Sequence, residues 1–200
     1  VRTSGAVSCQ VLCNGNMFTV SSLMDHQFAV VTNPMSKECG FKPSNFCSVT
    51  QDLGDIYAYD DVNHQFYTQR CWTVHQSSLT TMVGNVTPDE VFLADKTSVA
   101  CGEFNGGCCI YILKGSDGSY NAVILNAGNN KVAEIHPLNL TDADKAVSYA
   151  FCDNANLFFY ATEDKIYSSL LTSGNFTTKA LSWKPDSAAE KITGIQQYLQ

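Results

Sequence analysis

Short apolar or alternating runs rich in Val, Ile, Tyr, Phe and Thr recur along the chain, bounded by Gly, Asn, Asp and Pro. Runs of this length and composition predict β-strands, and the scarcity of helical periodicity predicts an all-β fold. The predicted strands include 18–20, 28–32, 66–68, 109–113, 120–125, 157–161, 165–168 and 191–195.

Turn-forming residues at 114–119 and 162–164 lie directly between predicted strands, so each predicts a hairpin. Consecutive strands that pair locally form antiparallel meanders. The pattern at 141–147 predicts one short helical turn, with Thr141 as the cap and Asp144 at the capping-box position. Residues 84–105 are either a long connection or an unrecognised strand pair, and we expect 171–190 to be a surface loop.

Four times along the chain, a cluster of polar turn-forming residues is followed directly by a predicted strand that contains an aromatic residue. The aromatic residues are separated by 48, 54 and 38 positions, close to the ~40 to 50 residues of one propeller blade. The repeat predicts a single β-propeller-like domain over residues 1–200, with about four blades. Four is the lower limit for a closed propeller, so the ring is either minimal or part of a larger one. The repeated aromatic residues are Phe18, Phe66, Tyr120 and Phe158.

The composition and net charge of the chain limit the classes of partner that we expect it to bind. The 200 residues are 44% hydrophobic, which is ample for a packed core, and carry a formal charge of -7. An acidic chain lacks the clustered Lys and Arg that nucleic acids and anionic membranes require, so we expect neither as a partner. No stretch approaches the ~20 apolar residues of a membrane span. Because the chain starts with neither Met nor a signal peptide, we expect it to be a processed chain or a fragment of a longer protein.

Nine cysteines are more than an ordinary globular domain uses. Two interpretations stay open: burial as small apolar residues, or disulfides formed in an oxidising compartment. We predict at least one disulfide between non-adjacent strands. The adjacent Cys108 and Cys109 are expected to begin a strand with their side chains on opposite faces.

The sequence predicts no catalytic residue, no metal site and no cofactor. The four histidines are too far apart for a zinc motif, and Asp52, Asp55, Asp60 and Asp61 do not fit a calcium loop. Cys71 and His75 lie close together, yet no signature of a cysteine nucleophile surrounds them.

Two tryptophans are the candidates for ligand binding. Trp72 lies beside Arg70, and Trp183 lies in a loop before Pro185. An exposed indole edged by polar groups can stack on a glycan or a peptide, although either tryptophan can also be a packing residue within or between blades.

Two segments resemble the propeller-like C-terminal region of the PKD-like family lipoproteins of Bacteroidetes. Residues 59–66 are similar to its YD-x-x-x-x-x-F element, and 159–167 are similar to its YYA-x-x-x-K-IY element. Residues 190–195 are similar to its closing strand. The resemblance covers roughly residues 14–200.

The resemblance implies an exported protein held at the bacterial outer membrane or cell surface by a lipid anchor that lies outside this chain. It also implies that this chain is a C-terminal fragment of a longer protein with immunoglobulin-like PKD modules in its N-terminal portion. It supplies no catalytic residue. We therefore expect a non-enzymatic envelope protein that binds a glycan or peptide, or serves as a scaffold for an envelope protein partner. Two alternatives stay open: a surface hydrolase acting on glycans or peptides, and an interaction module that docks on a partner chain.

Overall fold

The computed structural model describes residues 8–22, 28–32, 44–49, 55–74, 78–86, 90–104, 108–126, 131–152, 157–172, 175–183 and 185–196. Nearly all regular structure among them is β, as the sequence predicts, and the strands form four antiparallel sheets that follow one another along the chain. Sheet A contains β1 (Ser8–Cys13), β2 (Asn16–Ser22) and β3 (Phe28–Thr32); sheet B contains β4 (Asn45–Val49), β5 (Asp55–Asp60), β6 (Gln65–Val74) and β7 (Ser78–Val86); sheet C contains β8 (Thr97–Phe104), β9 (Cys108–Lys114), β10 (Tyr120–Asn126) and β11 (Lys131–Leu138); sheet D contains β12 (Ser148–Cys152), β13 (Leu157–Ala161), β14 (Ile166–Thr172) and β15 (Asn175–Ala180).

Within each sheet every strand pairs with the next one in the sequence, which confirms the predicted meanders. The first strand of sheet C, β8, approaches the first strands of both neighbouring sheets, β4 and β12. The outer strands β11 and β15 also approach each other. First strands that cluster, with meanders running outward from them, are the arrangement of propeller blades.

Both hairpins predicted from turn chemistry are present. The turn at 115–118 joins β9 to β10, and the turn at 162–165 joins β13 to β14. The β1–β2 hairpin turns on Asn14 and Gly15, whose φ angles are 49° and 72°. Two-residue hairpin turns need positive φ at both positions, which Asn-Gly adopts at little cost.

The predicted repeat occurs once in each described sheet, but not always at the same hairpin. In sheets B and C the unit joins the second strand to the third, whereas the units ending at Phe18 and Phe158 join the first two described strands of sheets A and D. The turn in sheet D that corresponds to those in B and C is at 162–165, leading to Tyr167. This offset explains the short interval of 38 positions, because Tyr167 follows Tyr120 by 47.

Two strand assignments were wrong. Residues 191–195 are not a strand; isolated hydrogen bonds hold them, including one from Ile192 N–H to Glu163 O at 2.8 Å. Apolar alternation does not make a strand where no neighbour supplies a ladder. The expected loop at 171–190 contains the outer strand β15, whose polar sequence suits the edge of a sheet.

The connection at 84–105 includes the end of β7, the short helix α1 (Glu90–Leu93) and all of β8. The predicted helical turn is a 3-10 turn at Ala143–Lys145, but its capping differs from the prediction. Asp142 is the N-cap, with φ 55° and no side-chain capping bond. Its carboxylate instead accepts a hydrogen bond from Tyr167 Oη at 2.8 Å.

Sheet C is buried on both faces, as the continuous apolar run of β9 requires. Cys109 packs toward sheet B, whereas Cys108 packs toward sheet D, which confirms the prediction that the two lie on opposite faces. The B–C interface contains Cys47, Tyr57, Tyr59, Phe66, Leu93, Cys109, Tyr111, Leu113, Val123 and Leu125. The C–D interface contains Ala100, Phe104, Ile110, Ile112, Tyr120, Ala122, Ile124, Leu138, Ala143, Phe158, Tyr160 and Tyr167.

Candidate functional site

Turns and connections at one end of sheets B, C and D form a surface that we call the upper face. His64, in the β5–β6 turn, donates from Nδ1 to the Lys96 carbonyl oxygen at 2.8 Å. The strand β8 starts there, beside the end of β9. Tyr160 Oη donates to the Thr141 carbonyl oxygen at 2.8 Å and so fixes the β11–β12 connection over sheet D.

The segment after β15 lies across the upper face of sheet D. Ile192 N–H donates to Glu163 O in the β13–β14 turn, and the Lys191 ammonium pairs with the Glu163 carboxylate. Farther along, Ile195 N–H donates to Ser148 Oγ at 3.1 Å. These bonds hold the segment at the β13–β14 turn and at the start of β12.

A concavity of about 290 Å³ opens between the start and the end of this segment. Trp183 stands at its edge with 52% of its surface exposed. Trp183 is therefore not a core residue, and the prediction that it binds a ligand stays a prediction. The concavity is lined by Trp183, Pro185, Asp186, Glu190, Lys191, Ile192, Thr193 and Gly194.

The lining combines polar and apolar residues in similar proportion. Asp186 and Glu190 are both solvent-exposed, and Thr193 adds a hydroxyl group. Among the lining residues that the structure describes, Lys191 is the one cation, and its ammonium pairs with the Glu163 carboxylate of the neighbouring turn. The described lining thus offers one aromatic plane, hydrogen-bond acceptors and two exposed carboxylates.

The structure does not bring the other two candidates, Arg70 and Trp72, to this surface. Both belong to β6, where Arg70 pairs with Met82 and Trp72 with Thr80. At about 3.3 Å per residue, Trp72 lies roughly 20 Å along β6 from Phe66, which adjoins the upper face. Their side chains lie outside the described part of the chain, so the binding prediction for them stays a prediction.

A second group of charged residues on the upper face joins sheets B and C. The Asp95 carboxylate pairs with Lys96 at 2.8 Å and accepts hydrogen bonds from Ser116 N–H and Oγ, both at 3.1 Å. The hydrogen bond from Lys96, followed by those from Ser116, lowers the pKa of Asp95 to about 2. Asp61 similarly accepts from Ser98 N–H at 2.8 Å. These carboxylates hold turns in place, so we assign the group a structural role.

No catalytic constellation emerges among the residues with described side chains. His64 is engaged by a backbone carbonyl, and His136 Nε2 lies 2.5 Å from Glu134 Oε2. No set of three or more His, Cys, Asp and Glu side chains in the described ranges is arranged to hold a metal ion. Nor is any described helix both long and apolar enough to cross a membrane.

Sequence reasoning named Trp183 as a candidate but did not name the acidic residues that line the concavity with it. Asp186 and Glu190 belong to a polar stretch without a motif. They approach Trp183 because the segment folds back, and that fold-back depends on Glu163, 28 positions before Lys191. No local sequence pattern predicts a contact between residues so far apart in the chain.

No family model matches the sequence, and no curated protein matches it. Among solved structures, the chain is similar to the Dos1 propeller, with a TM-score of 0.50 and 10% identity over 86% of this chain and 46% of that one. It is also similar to a luciferin-regenerating enzyme, with a TM-score of 0.51 and 10% identity over 88% and 60% of the respective chains. These likenesses show the β-propeller fold. The chain spans about half to three fifths of the length of these two proteins.

Proposed function

We propose that this propeller domain binds a neutral glycan in the concavity beside Trp183 and catalyses no reaction. The exposed indole carries the proposal. An indole that is 52% exposed beside hydrogen-bonding groups offers an apolar plane on which a flat ligand surface can stack.

The chemistry around Trp183 suits a sugar. The C–H face of a sugar ring can stack on the indole, while its hydroxyl groups donate to the carboxylates of Asp186 and Glu190 and to Thr193. A volume of about 290 Å³ is at the small end of ligand sites, which suits one or two rings. The exposed carboxylates of Asp186 and Glu190 favour a ligand without phosphate or sulfate groups, in keeping with the charge of -7.

Asp186 and Glu190 form a pair of carboxylates, and glycosidases use such a pair to hydrolyse their substrates. A glycosidase needs one carboxyl group kept protonated by apolar surroundings and a second one that stays ionised. Asp186 and Glu190 are both exposed, so water solvates both alike. We therefore favour binding over hydrolysis at this site.

Export to the bacterial envelope is part of the proposal. Its support is the resemblance of residues 59–66 and 159–167 to the PKD-like lipoproteins. In this fold each segment lies at the hairpin that joins the second strand of a sheet to the third. Residues 59–66 lie at the β5–β6 hairpin and 159–167 at the β13–β14 hairpin, so they occupy equivalent places in two blades. Cell fractionation of the native protein tests the location, since recovery in the cytoplasm alone would contradict it.

A glycan array followed by calorimetric titration tests the binding site. We expect Trp183→Ala to weaken binding of the best glycan by roughly tenfold or more, which corresponds to about 1.4 kcal/mol, with an unchanged melting temperature. Trp183→Phe should keep part of the affinity because it keeps an aromatic plane.

Leu181→Ala is the matched control, because Leu181 is 39% exposed on the same segment but does not line the concavity. It should bind like the wild type. An array without a glycan hit, or a hit that Trp183→Ala leaves unchanged, would refute the proposal. Binding of a peptide lost in Trp183→Ala would keep the site and change the ligand class.

A further inference from the structure

Three buried thiols meet at the B–C interface. Cys47 Sγ on β4 lies 2.9 Å from Cys109 Sγ on β9. The Cys101 thiol on β8 also lies within hydrogen-bond reach of Cys47. Cys47 is 9% exposed and Cys109 is fully buried. All six cysteines with described side chains are thiols, so the disulfide that the sequence predicts is not formed among them.

We propose that Cys47 and Cys109 form a disulfide that links sheet B to sheet C when the protein folds under oxidising conditions. The two sulfur atoms need to approach by less than about 1 Å to reach the S–S bond length of about 2.05 Å. The strands β4 and β9 already have Cα atoms within 8 Å of each other. Closure therefore requires side-chain adjustment more than movement of a blade.

The positions of the other described cysteines exclude most of them as partners of Cys47. Cys108 is adjacent to Cys109 but packs on the opposite face of sheet C, so it cannot reach Cys47. Cys13 is exposed in sheet A and Cys152 belongs to sheet D. Among the cysteines with described side chains, Cys101 is the one other candidate to pair with Cys47, because it also contacts Cys47.

The chemistry is a thiol–disulfide exchange with a small disulfide, such as oxidised glutathione, as the oxidant. The thiolate of one cysteine attacks the small disulfide, forms a mixed disulfide and releases one reduced thiol. The second cysteine then displaces the other half. The protein loses two protons and two electrons and gains one S–S bond, while the small disulfide becomes two thiols.

The exchange belongs to folding and not to the folded state. Both sulfur atoms are enclosed between two sheets, and burial raises the pKa of the Cys109 thiol, so little reactive thiolate is present once the blades have packed. The folded, reduced protein should therefore resist oxidation, whereas refolding in the presence of the oxidant should trap the bond.

Peptide mapping of the full chain tests the proposal directly. The protein is reduced, unfolded and refolded with a mixture of reduced and oxidised glutathione, then alkylated and digested without reductant. We expect the peptide that joins Cys47 to Cys109. Recovery of both residues as alkylated thiols, a Cys47–Cys101 pair, or three thiols holding a zinc ion by elemental analysis would each overturn the proposal.

Thermal unfolding gives a second measurement. The disulfide closes a long loop, so refolding with oxidant should raise the melting temperature by roughly 5 to 15 °C over the reduced protein. Cys109→Ala should abolish this difference, and the matched control Cys152→Ala should keep it. If Cys109→Ala fails to fold, the wild-type peptide map alone decides.

Discussion

The two faces of sheet C are buried in different ways. Toward sheet D, the rings of Phe158, Tyr160 and Tyr167 form a stacked ladder, with centroids 5.7 and 4.8 Å apart and interplanar angles of 28° and 10°. Toward sheet B, the rings are tilted; Phe66 and Tyr111 meet edge to face at 4.8 Å.

Polar atoms separate the two interfaces further. In the C–D interface the tyrosine hydroxyls reach the rim, where Tyr160 donates to the Thr141 carbonyl oxygen and Tyr167 to Asp142. In the B–C interface the Tyr59 hydroxyl donates to the Lys96 carbonyl oxygen at 2.9 Å, but three thiols are enclosed and the Tyr111 hydroxyl lies beside the Cys109 thiol, a weak hydrogen-bonding group. One central blade thus packs by ring stacking on one face and encloses weakly hydrogen-bonded thiols and a hydroxyl on the other.

The largest expected effect comes from breaking the stacked ladder. Phe158 is fully buried and contacts the rings of Tyr149, Phe151 and Tyr160. Phe158→Ala removes these contacts and leaves a cavity, so we expect a loss of about 3 to 5 kcal/mol in urea denaturation. Phe159→Ala is the matched control, because Phe159 is only half-buried on the opposite face of the same strand. Equal losses in the two variants would contradict the assignment of the interface.

A smaller effect is expected where β8 meets β12. Gly102 leaves room for the Phe151 ring; a Cβ there would lie 2.5 Å from its Cδ2 atom. Gly102→Ala should therefore force the ring to move and cost about 1 to 3 kcal/mol of stability. Gly194→Ala meets no atom within 4 Å and should change stability by less than about 0.5 kcal/mol. A neutral Gly102→Ala would show that the two strands are farther apart.

Removing one hydroxyl from each interface should have opposite effects. Tyr160→Phe breaks the bond to the Thr141 carbonyl oxygen and should cost about 1 kcal/mol. Tyr111→Phe removes a buried hydroxyl that lies beside the weakly hydrogen-bonding Cys109 thiol, so it should be neutral or stabilise by up to about 1 kcal/mol. Chemical denaturation of the two variants measures both changes, and a clear loss in Tyr111→Phe would mean that its hydroxyl is satisfied.

The smallest effect is confined to alkaline solution. Burial raises the pKa of Tyr149 from 10.0 to about 12 and raises the pKa of Tyr160 as well. The unfolded tyrosine ionises first, so this stabilisation is complete below pH 10 and is lost as the pH rises toward 12. Phenolate absorbance should show part of the tyrosines titrating late, together with unfolding. Titration of all of them near pH 10, with the fold intact, would contradict the burial of these two hydroxyls.

Sequence reasoning reached the fold because blade formation is local. Strands that pair with their sequence neighbours need only alternation and turn chemistry, as at Asn14–Gly15 and 115–118. It misplaced the fourth repeat unit because two hairpins of sheet D both join turns to aromatic strands. It also took 191–195 for a strand, since apolar alternation does not reveal whether a partner strand is available.

The sequence by itself determined the all-β meanders and the four sheets, because each depends on residues within one hairpin, but it left Trp183 open between packing and ligand binding. Tertiary structure alone decided the grouping of Cys47 with Cys101 and Cys109 and the acidic surround of Trp183. Those contacts join residues up to 62 positions apart. They arise from the packing of the blades and from the fold-back of the last segment, and a local sequence pattern predicts neither.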